Sequence, residues 1–386
     1  MRLRHPDGTV LHVGYCTNVH PAEDLAGVLA QLDRYAAPIR ARLDTDVLGL
    51  GLWLAAPVAA ELAADAALRA RLRRELDARG LETVTLNGFP YQAFHAPVVK
   101  HAVYRPAWTD RLRLQYTVDL ATVLADLLPD GAARGSISTL PFGWRTPWGA
   151  GEARAAAGLL DELARELGRV HRRAGRPIRV AFEPEPGCVV ETVGQAVDAL
   201  SAVDASYLGV CLDLAHLACA WEEPGDTVAR LAAAGIPVVK VQVSAALEVA
   251  DPASAPLVLA SYAEPRFLHQ TRTRSGVDFD DLPDALAAGA GGPWRIHFHA
   301  PLHAEPMPPL TTTLPVLRAG LAALTAGPSC DHFEVETYTW SVLPAERRPA
   351  GDAGLVDGIA AELAFARDEL LSLGLRPEPV TAGVSR

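Results

Sequence analysis

The sequence predicts an α/β fold, a (β/α)8 barrel with elaborated loops, and three observations predict it. Short β-branched or Leu/Val runs alternate with longer Ala/Leu/Glu/Arg segments of helical period, as βα units around a parallel sheet do. Carboxylate and imidazole residues gather where the later runs end, the place where such barrels carry their chemistry. The first βα turn has no GxGxxG, which argues against a doubly wound open sheet.

The first strand is expected at Leu11–Cys16. NVHPAEDLAGVLAQL follows it, with His20 before Pro21 at a helix start and Glu23 in the first turn. Further strands are expected at Val47–Leu54, Thr83–Asn87, Gly135–Leu140 and Ile178–Glu183. Leu208–Asp213, Val238–Val243, Arg295–His299 and His332–Glu336 complete the series. Between them run helical segments such as ARAAAGLLDELARELGRVHRRAG and LPVLRAGLAALTAG. That makes about nine strands, one more than the barrel needs. Either RIHFH is a short strand in an elaborated loop, or one N-terminal strand is misassigned.

Pro90–Asp110 and Ser244–Gly292 are long for connections. They hold His95, His101, Tyr104, Trp108, Arg266, His269 and Arg272, a content that suits functional lids over a site. Residues 1–375 are expected as a single barrel domain and 376–386, RPEPVTAGVSR, as a disordered tail.

The chain of 386 residues is 49% hydrophobic, enough to bury a large core. No apolar run reaches the about 18 residues of a membrane span, and no signal-peptide pattern opens the chain, so a cytoplasmic protein without membrane insertion is expected. Five cysteines with no CxxC spacing argue against a disulfide framework or a cysteine zinc site. The net charge of −11 argues against a nucleic-acid partner, because phosphate backbones are bound by clustered Lys and Arg.

FEPEPG places Glu183 and Glu185 at one strand end, and GVCLDLAHLA places Asp213 and His216 at the next. Taken alone, Asp213 reads as a helix cap and His216 as incidental. Gln242 and Ser244 mark the following strand, His297, His299 and His303 lie in HFHAPLH, and FEVETYTW ends on Glu334 and Glu336. Residues two apart on a strand point the same way, so each such pair can face the mouth together. Several carboxylates in one pocket would repel one another if all were ionised. A divalent cation (Mn, Zn or Mg) resolves this, because carboxylate oxygens and imidazole nitrogens are its ligands.

These residues resemble the xylose-isomerase-like barrels, which include sugar isomerases, sugar epimerases and endonuclease IV. GVCLDLAH (Gly209–His216) is similar to the strand-six motif of the endonuclease IV branch, FEPEPG to the strand-five motif and EVETY to the strand-eight motif. The resemblance implies metal ligands at Glu183, Asp213 and Glu336, with Gln242 where the group has a strand-seven histidine and His297-Phe298-His299 where it has Asp-x-His. That pattern implies one ion rather than three. Over nearly its full length, from GYCTNVHP through GLGLWL, TLNGFPY and SISTLP to HFHAPLH and FEVETYTW, the chain looks like the EboE family, called metabolite traffic proteins. This implies a barrel tied to a gene cluster for making or exporting a small secondary metabolite, with proteins of that pathway as partners.

The expected function is a metal-dependent isomerase or epimerase acting on a small sugar, polyol or cyclitol-like metabolite. Glu183, Asp213, His299 and Glu336, with Gln242 as a neutral donor, would hold the ion, and Glu183 or Glu336 would move the proton. His216, His297, His20 and Glu185 are expected to meet substrate, while Arg266, His269 and Arg272 would receive a phosphate or carboxylate. A non-catalytic binding or traffic protein using the same pocket is the alternative. Cleavage at DNA lesions, suggested by the endonuclease IV resemblance, conflicts with the acidic charge.

Overall fold

The computed structural model describes residues 1–327 and 329–379. Eight parallel strands follow one another around a closed barrel: β1 (Val10–Cys16), β2 (Leu48–Trp53), β3 (Leu81–Asn87), β4 (Gly135–Thr139), β5 (Ile178–Phe182), β6 (Leu208–Asp213), β7 (Val238–Val243) and β8 (His332–Val335). β8 closes the ring by pairing in parallel with β1, His332 opposite His12 and Val335 opposite Tyr15. Helices surround this sheet, as the alternating pattern predicts. Asp213, Gln242 and Glu334 stand in one row across β6, β7 and β8.

Of the nine expected strands, RIHFH lies outside the barrel. Trp294–Ile296 belongs to a second, five-stranded sheet built from short antiparallel strands, with Leu247–Val249 and Thr271–Thr273 on either side of it. This sheet is inserted between β7 and β8, and His297–His299 run on from its central strand. The elaborated-loop alternative holds.

The helices follow local signals. Ala150–Ala174 ends at Gly175, whose φ of 74° is open to a residue without Cβ. Val193–Leu200 starts from Thr192, which accepts from the Gln195 amide in a capping box. Apolar side chains of the strands and the inner helix faces form a continuous core. The barrel interior, by contrast, is strongly polar. Lys240 Nζ meets Glu334 Oε2 at 2.5 Å and Ser138 Oγ at 3.2 Å. Ser136 Oγ bonds Thr85 Oγ1 and His332 Nδ1, both at 2.8 Å.

Arg2–Arg4 runs antiparallel to β1, and Arg376–Pro377 pairs with it in turn. The expected tail therefore needs correction at its start: Arg376 and Pro377 are tied by the ladder, and Glu378 pairs with Arg4. The rest of that expectation, residues 380–386, lies outside the described residues. Among the described residues no helix is long and apolar enough to cross a membrane.

Candidate metal centre

Asp213 ends β6 and caps the six-residue helix Leu214–Cys219. Its Oδ1 accepts from the Ala215 and His216 amides at 2.8 and 2.9 Å and from Ser244 Oγ at 2.8 Å. Its Oδ2 has no hydrogen-bond partner among the described residues, although the carboxylate is buried. That oxygen lies 3.9 Å from His216 Nε2 and 3.8 Å from His299 Nε2. The cap and the site are one residue, with one oxygen for each.

Three histidines converge beside it. His216 Nε2 is 2.9 Å from His297 Nε2, which is 3.2 Å from His299 Nε2. The far nitrogens fix the tautomers. His216 Nδ1 faces Pro184 O at 3.0 Å, and His299 Nδ1 faces Glu336 O at 2.7 Å. A carbonyl oxygen can only accept, so both Nδ1 atoms carry a proton, and in the neutral rings both Nε2 atoms carry a lone pair. His297 Nδ1 faces Gln270 Oε1 at 2.8 Å, which leads to the same tautomer. Lone pairs that face one another at these distances repel unless a cation lies among them. The edge of a tetrahedron of imidazole nitrogens around zinc is about 3.4 Å, close to the spacing here. Histidine ligands of metals characteristically donate their other N–H to a carbonyl, as these do.

The acids complete the cluster. Donor atoms of Glu183, Asp213 and His216 lie within 4.8 Å of one another, as do those of Asp213, His299 and Glu336 and those of the three histidines. Glu183 Oε2 also lacks a partner among the described residues. Glu336 Oε1 accepts from Asn18 Nδ2 and Asn87 Nδ2, both at 2.8 Å. Burial, with Glu336 and Asp213 nearby, pushes the Glu183 carboxyl well above the usual range. Burial, Asp213 and Glu334 push Glu336 up to about 8. Burial works against ionised Asp213, but His216, His299 and its own hydrogen bonds hold it below the ordinary value. Burial lowers His216 to about 4 and His297 well below its usual value. A pocket that disfavours several carboxylate charges and keeps His216 and His297 neutral is suited to a divalent cation. Gln242 is buried between Asp213 and Glu334, and neither of its polar atoms has a partner among the described residues.

A cleft opens above this floor. Glu183, Glu185, His216, His297 and Glu336 reach its surface, with Asn18, Asn87 and Tyr338. Phe89, Phe94, Val103, Tyr104, Phe267 and Leu268 form the walls, so both long loops cover the mouth. The loops are joined where the Val99 and Lys100 amides both donate to Arg266 O at 2.8 Å. Lys100 is the one cation lining the cleft among the described residues, and it is paired with Asp281.

The remaining expected contacts fall elsewhere. His20 stacks on Tyr35 at 4.0 Å and bonds Tyr15 Oη at 3.1 Å, in a site that lowers it to about 3 by burial. It does not join the lining of the mouth, because its ring fills the space against Tyr35. His269 is a strut, with Nδ1 on His297 O at 2.9 Å and Nε2 on Glu264 Oε1 at 3.0 Å. Arg272 is buried and doubly bonded to Glu191, and Arg266 reaches Ser341 Oγ at 3.0 Å. None of the three lines the cleft, so the anion-receiving role finds no support in their placement. Glu185 does line it, accepting from Tyr104 Oη at 2.8 Å, and burial raises it to about 8.

Asn18, Asn87, Gln270 and Tyr338 were not singled out by sequence. Asn87 ends β3, so the strand-end rule would have found it had amides been counted with carboxylates. Gln270 carries no such signal, because it lies in the inserted segment.

Comparison with known proteins agrees with this architecture. No curated protein matches the sequence. A candidate sugar phosphate isomerase/epimerase from Anabaena variabilis is 16% identical, with a TM-score of 0.52, covering 94% of this chain and 99% of its own. D-psicose 3-epimerase from Clostridium cellulolyticum H10 is 14% identical, with a TM-score of 0.51 and coverage of 93% and 99%. The IolI protein with a bound zinc atom is 13% identical, with a TM-score of 0.52 and coverage of 94% and 99%. At these identities the likeness shows the fold alone. The family model described as xylose isomerase-like TIM barrel matches residues 48–288, most of the chain. The chain belongs to the xylose isomerase-like TIM barrel family.

Proposed function

We propose that this protein is a divalent-metal-dependent isomerase or epimerase acting on a small sugar, polyol or cyclitol-like metabolite. The observation that carries the reading is the convergence, on the floor of a covered cleft, of two buried carboxylate oxygens with no partner among the described residues, Asp213 Oδ2 and Glu183 Oε2, and three imidazole Nε2 atoms that face one another. Solved epimerases share the fold, and the EboE resemblance adds a place in a secondary-metabolite pathway.

Glu183, Asp213, His299 and Glu336 would hold the ion, with His216 and His297 beside them and Gln242 beneath. A bound divalent cation polarises a substrate carbonyl and acidifies the adjacent C–H. Glu183 and Glu336 both open onto the cleft, so one carboxylate takes the proton from carbon and the other returns one. Asn18 and Asn87 hold Glu336 by Oε1, which leaves its second oxygen to meet the ion or the substrate. The aromatic walls exclude water from the exchanging proton.

Elemental analysis of protein purified without chelator tests the reading. The expected result is at least one bound divalent ion per chain and a rise in Tm on adding Mn²⁺ or Zn²⁺. A chain free of metal whose Tm ignores both ions overturns it. Loss of a substrate C–H signal in D₂O, across a panel of ketoses and cyclitol ketones, then identifies the substrate.

A further inference from the structure

We propose that Gln270 is a positioning residue, which fixes His297 as an Nε2 donor and so builds an all-imidazole cation position onto the carboxylate centre. This rests on the metal-centre reading of the same cleft. Gln270 is fully buried in the inserted segment and holds His297 twice. Its backbone oxygen accepts from the His297 amide at 2.8 Å, and its side-chain Oε1 meets His297 Nδ1 at 2.8 Å.

The orientation of the Gln270 amide follows from its other end. That end faces Pro186 O at 3.0 Å and Tyr104 Oη at 2.8 Å. Pro186 O has no hydrogen to give, so the amide nitrogen must lie there and the amide oxygen must face His297. His297 Nδ1 therefore donates, and its Nε2 is left with a lone pair. Tyr104, having accepted from Gln270, donates to Glu185 Oε1 at 2.8 Å. The hydrogens of Tyr104, Gln270 and His297 are thereby assigned. From the other side, His269 Nδ1 donates to His297 O at 2.9 Å, so the histidine is held at its amide, its carbonyl and its ring.

The competing state shows why this matters. With the opposite tautomer, His297 Nε2–H would donate to the lone pair of His216 Nε2 at 2.9 Å. That hydrogen bond would close the position between the rings. Gln270 removes the competitor by giving Nδ1–H an acceptor that cannot turn round. The three nitrogens of His216, His297 and His299 then form a donor set suited to zinc or cobalt(II) rather than magnesium. Substituting partners that orient metal-bound histidines typically lowers affinity about 10–100-fold.

The test uses the full chain stripped of metal, with Co²⁺ as the probe. Visible absorption follows Co²⁺ titration, and long-range ¹H–¹⁵N NMR assigns the imidazole tautomers before metal is added. In the wild type His297 is expected as the Nδ1–H tautomer. Gln270→Met, similar in volume but without an acceptor, is expected to shift His297 toward Nε2–H and to weaken Co²⁺ binding about 10–100-fold. Gln270→Glu keeps an acceptor for Nδ1–H and is expected to retain the wild-type tautomer and most of the affinity. A folded Gln270→Met chain with unchanged tautomer and unchanged Co²⁺ affinity overturns the proposal alone. An Nε2–H resonance for His297 in the wild type overturns it too, whether or not Gln270→Met folds. A wild type with the expected tautomer that binds no Co²⁺ overturns the metal-centre reading and the cation position with it.

Discussion

The carboxylate of Glu334 occupies the space that a side chain at Gly51 would need: a Cβ there would lie 1.0 Å from Glu334 Oε1. β2 passes the barrel interior with no side chain at that point, and Glu334 fills the gap while it pairs with Lys240. Both partners are fully buried. Gly51→Ala is expected to displace the carboxylate and strand the Lys240 ammonium. Breaking a buried pair costs about 3–5 kcal/mol, so urea unfolding should show a loss of that size. Lys240→Met should cost a similar amount, and Lys240→Met combined with Glu334→Leu should recover much of it. Additive losses in that double variant would show that the pair is not the unit of stability.

Asp213 allows the two tasks of one carboxylate to be separated. Asp213→Asn keeps an oxygen able to accept from the Ala215 and His216 amides but removes the charge at Oδ2. Stability should change by less than about 1 kcal/mol, while divalent-ion affinity falls at least tenfold. Asp213→Ala should lose the cap as well, a further ~0.5–2 kcal/mol. Thermal unfolding with and without Mn²⁺ reads both effects, and equal ion-induced shifts in Asp213→Asn and wild type would exclude Asp213 as a ligand.

How much of this was legible in the sequence depends on the distance over which each feature is encoded. The barrel strands are written locally as short apolar runs, and Leu208–Asp213 and Val238–Val243 fall where the sequence places them. Glu183, Asp213 and Glu336 follow from strand ends meeting at one mouth. His297 and His299 gather there for another reason: a small antiparallel sheet carries them in from an insertion, and strand pairing across 247–312 leaves only a weak local signal. The three loop residues expected to bind an anion failed for the same reason. His269 and Arg272 are occupied by Glu264 and Glu191, and Arg266 is turned toward Ser341, all contacts between segments that sequence spacing does not show.

At the opposite end of the barrel, Glu82 ties stability to pH. Burial alone would raise the Glu82 carboxyl, but hydrogen bonds from His12 and Arg2 outweigh it and hold Glu82 down at about 2. A carboxyl depressed in the fold stabilises fully above its unfolded value of 4.5 and loses that contribution as pH falls toward 2. The difference corresponds to roughly 3 kcal/mol. Urea midpoints measured from pH 5 to pH 2.5 should therefore decline in the wild type. Glu82→Gln should be less stable at pH 5 and flatter across that window. An equally steep decline in Glu82→Gln would move the acid sensitivity to another group.

Glu183→Gln and Glu336→Gln decide between turnover and simple binding. Both amides fill the carboxylate volume, and neither can take a proton from carbon. If the cleft is catalytic, each change should lower kcat by at least about 10²–10⁴, the usual contribution of a positioned general acid or base. Metabolite binding, read by calorimetry in the presence of Mn²⁺, should persist in Glu336→Gln more than in Glu183→Gln. The reason is geometric: Asn18 and Asn87 donate to Glu336 Oε1, and an amide oxygen at 336 can still accept from both. Glu183 Oε2 has no such partner among the described residues to hold its replacement. Pathway output that survives both substitutions, with binding intact, would support the non-catalytic traffic reading. Loss of C–H exchange with binding retained would establish the two carboxylates as the proton-transfer pair.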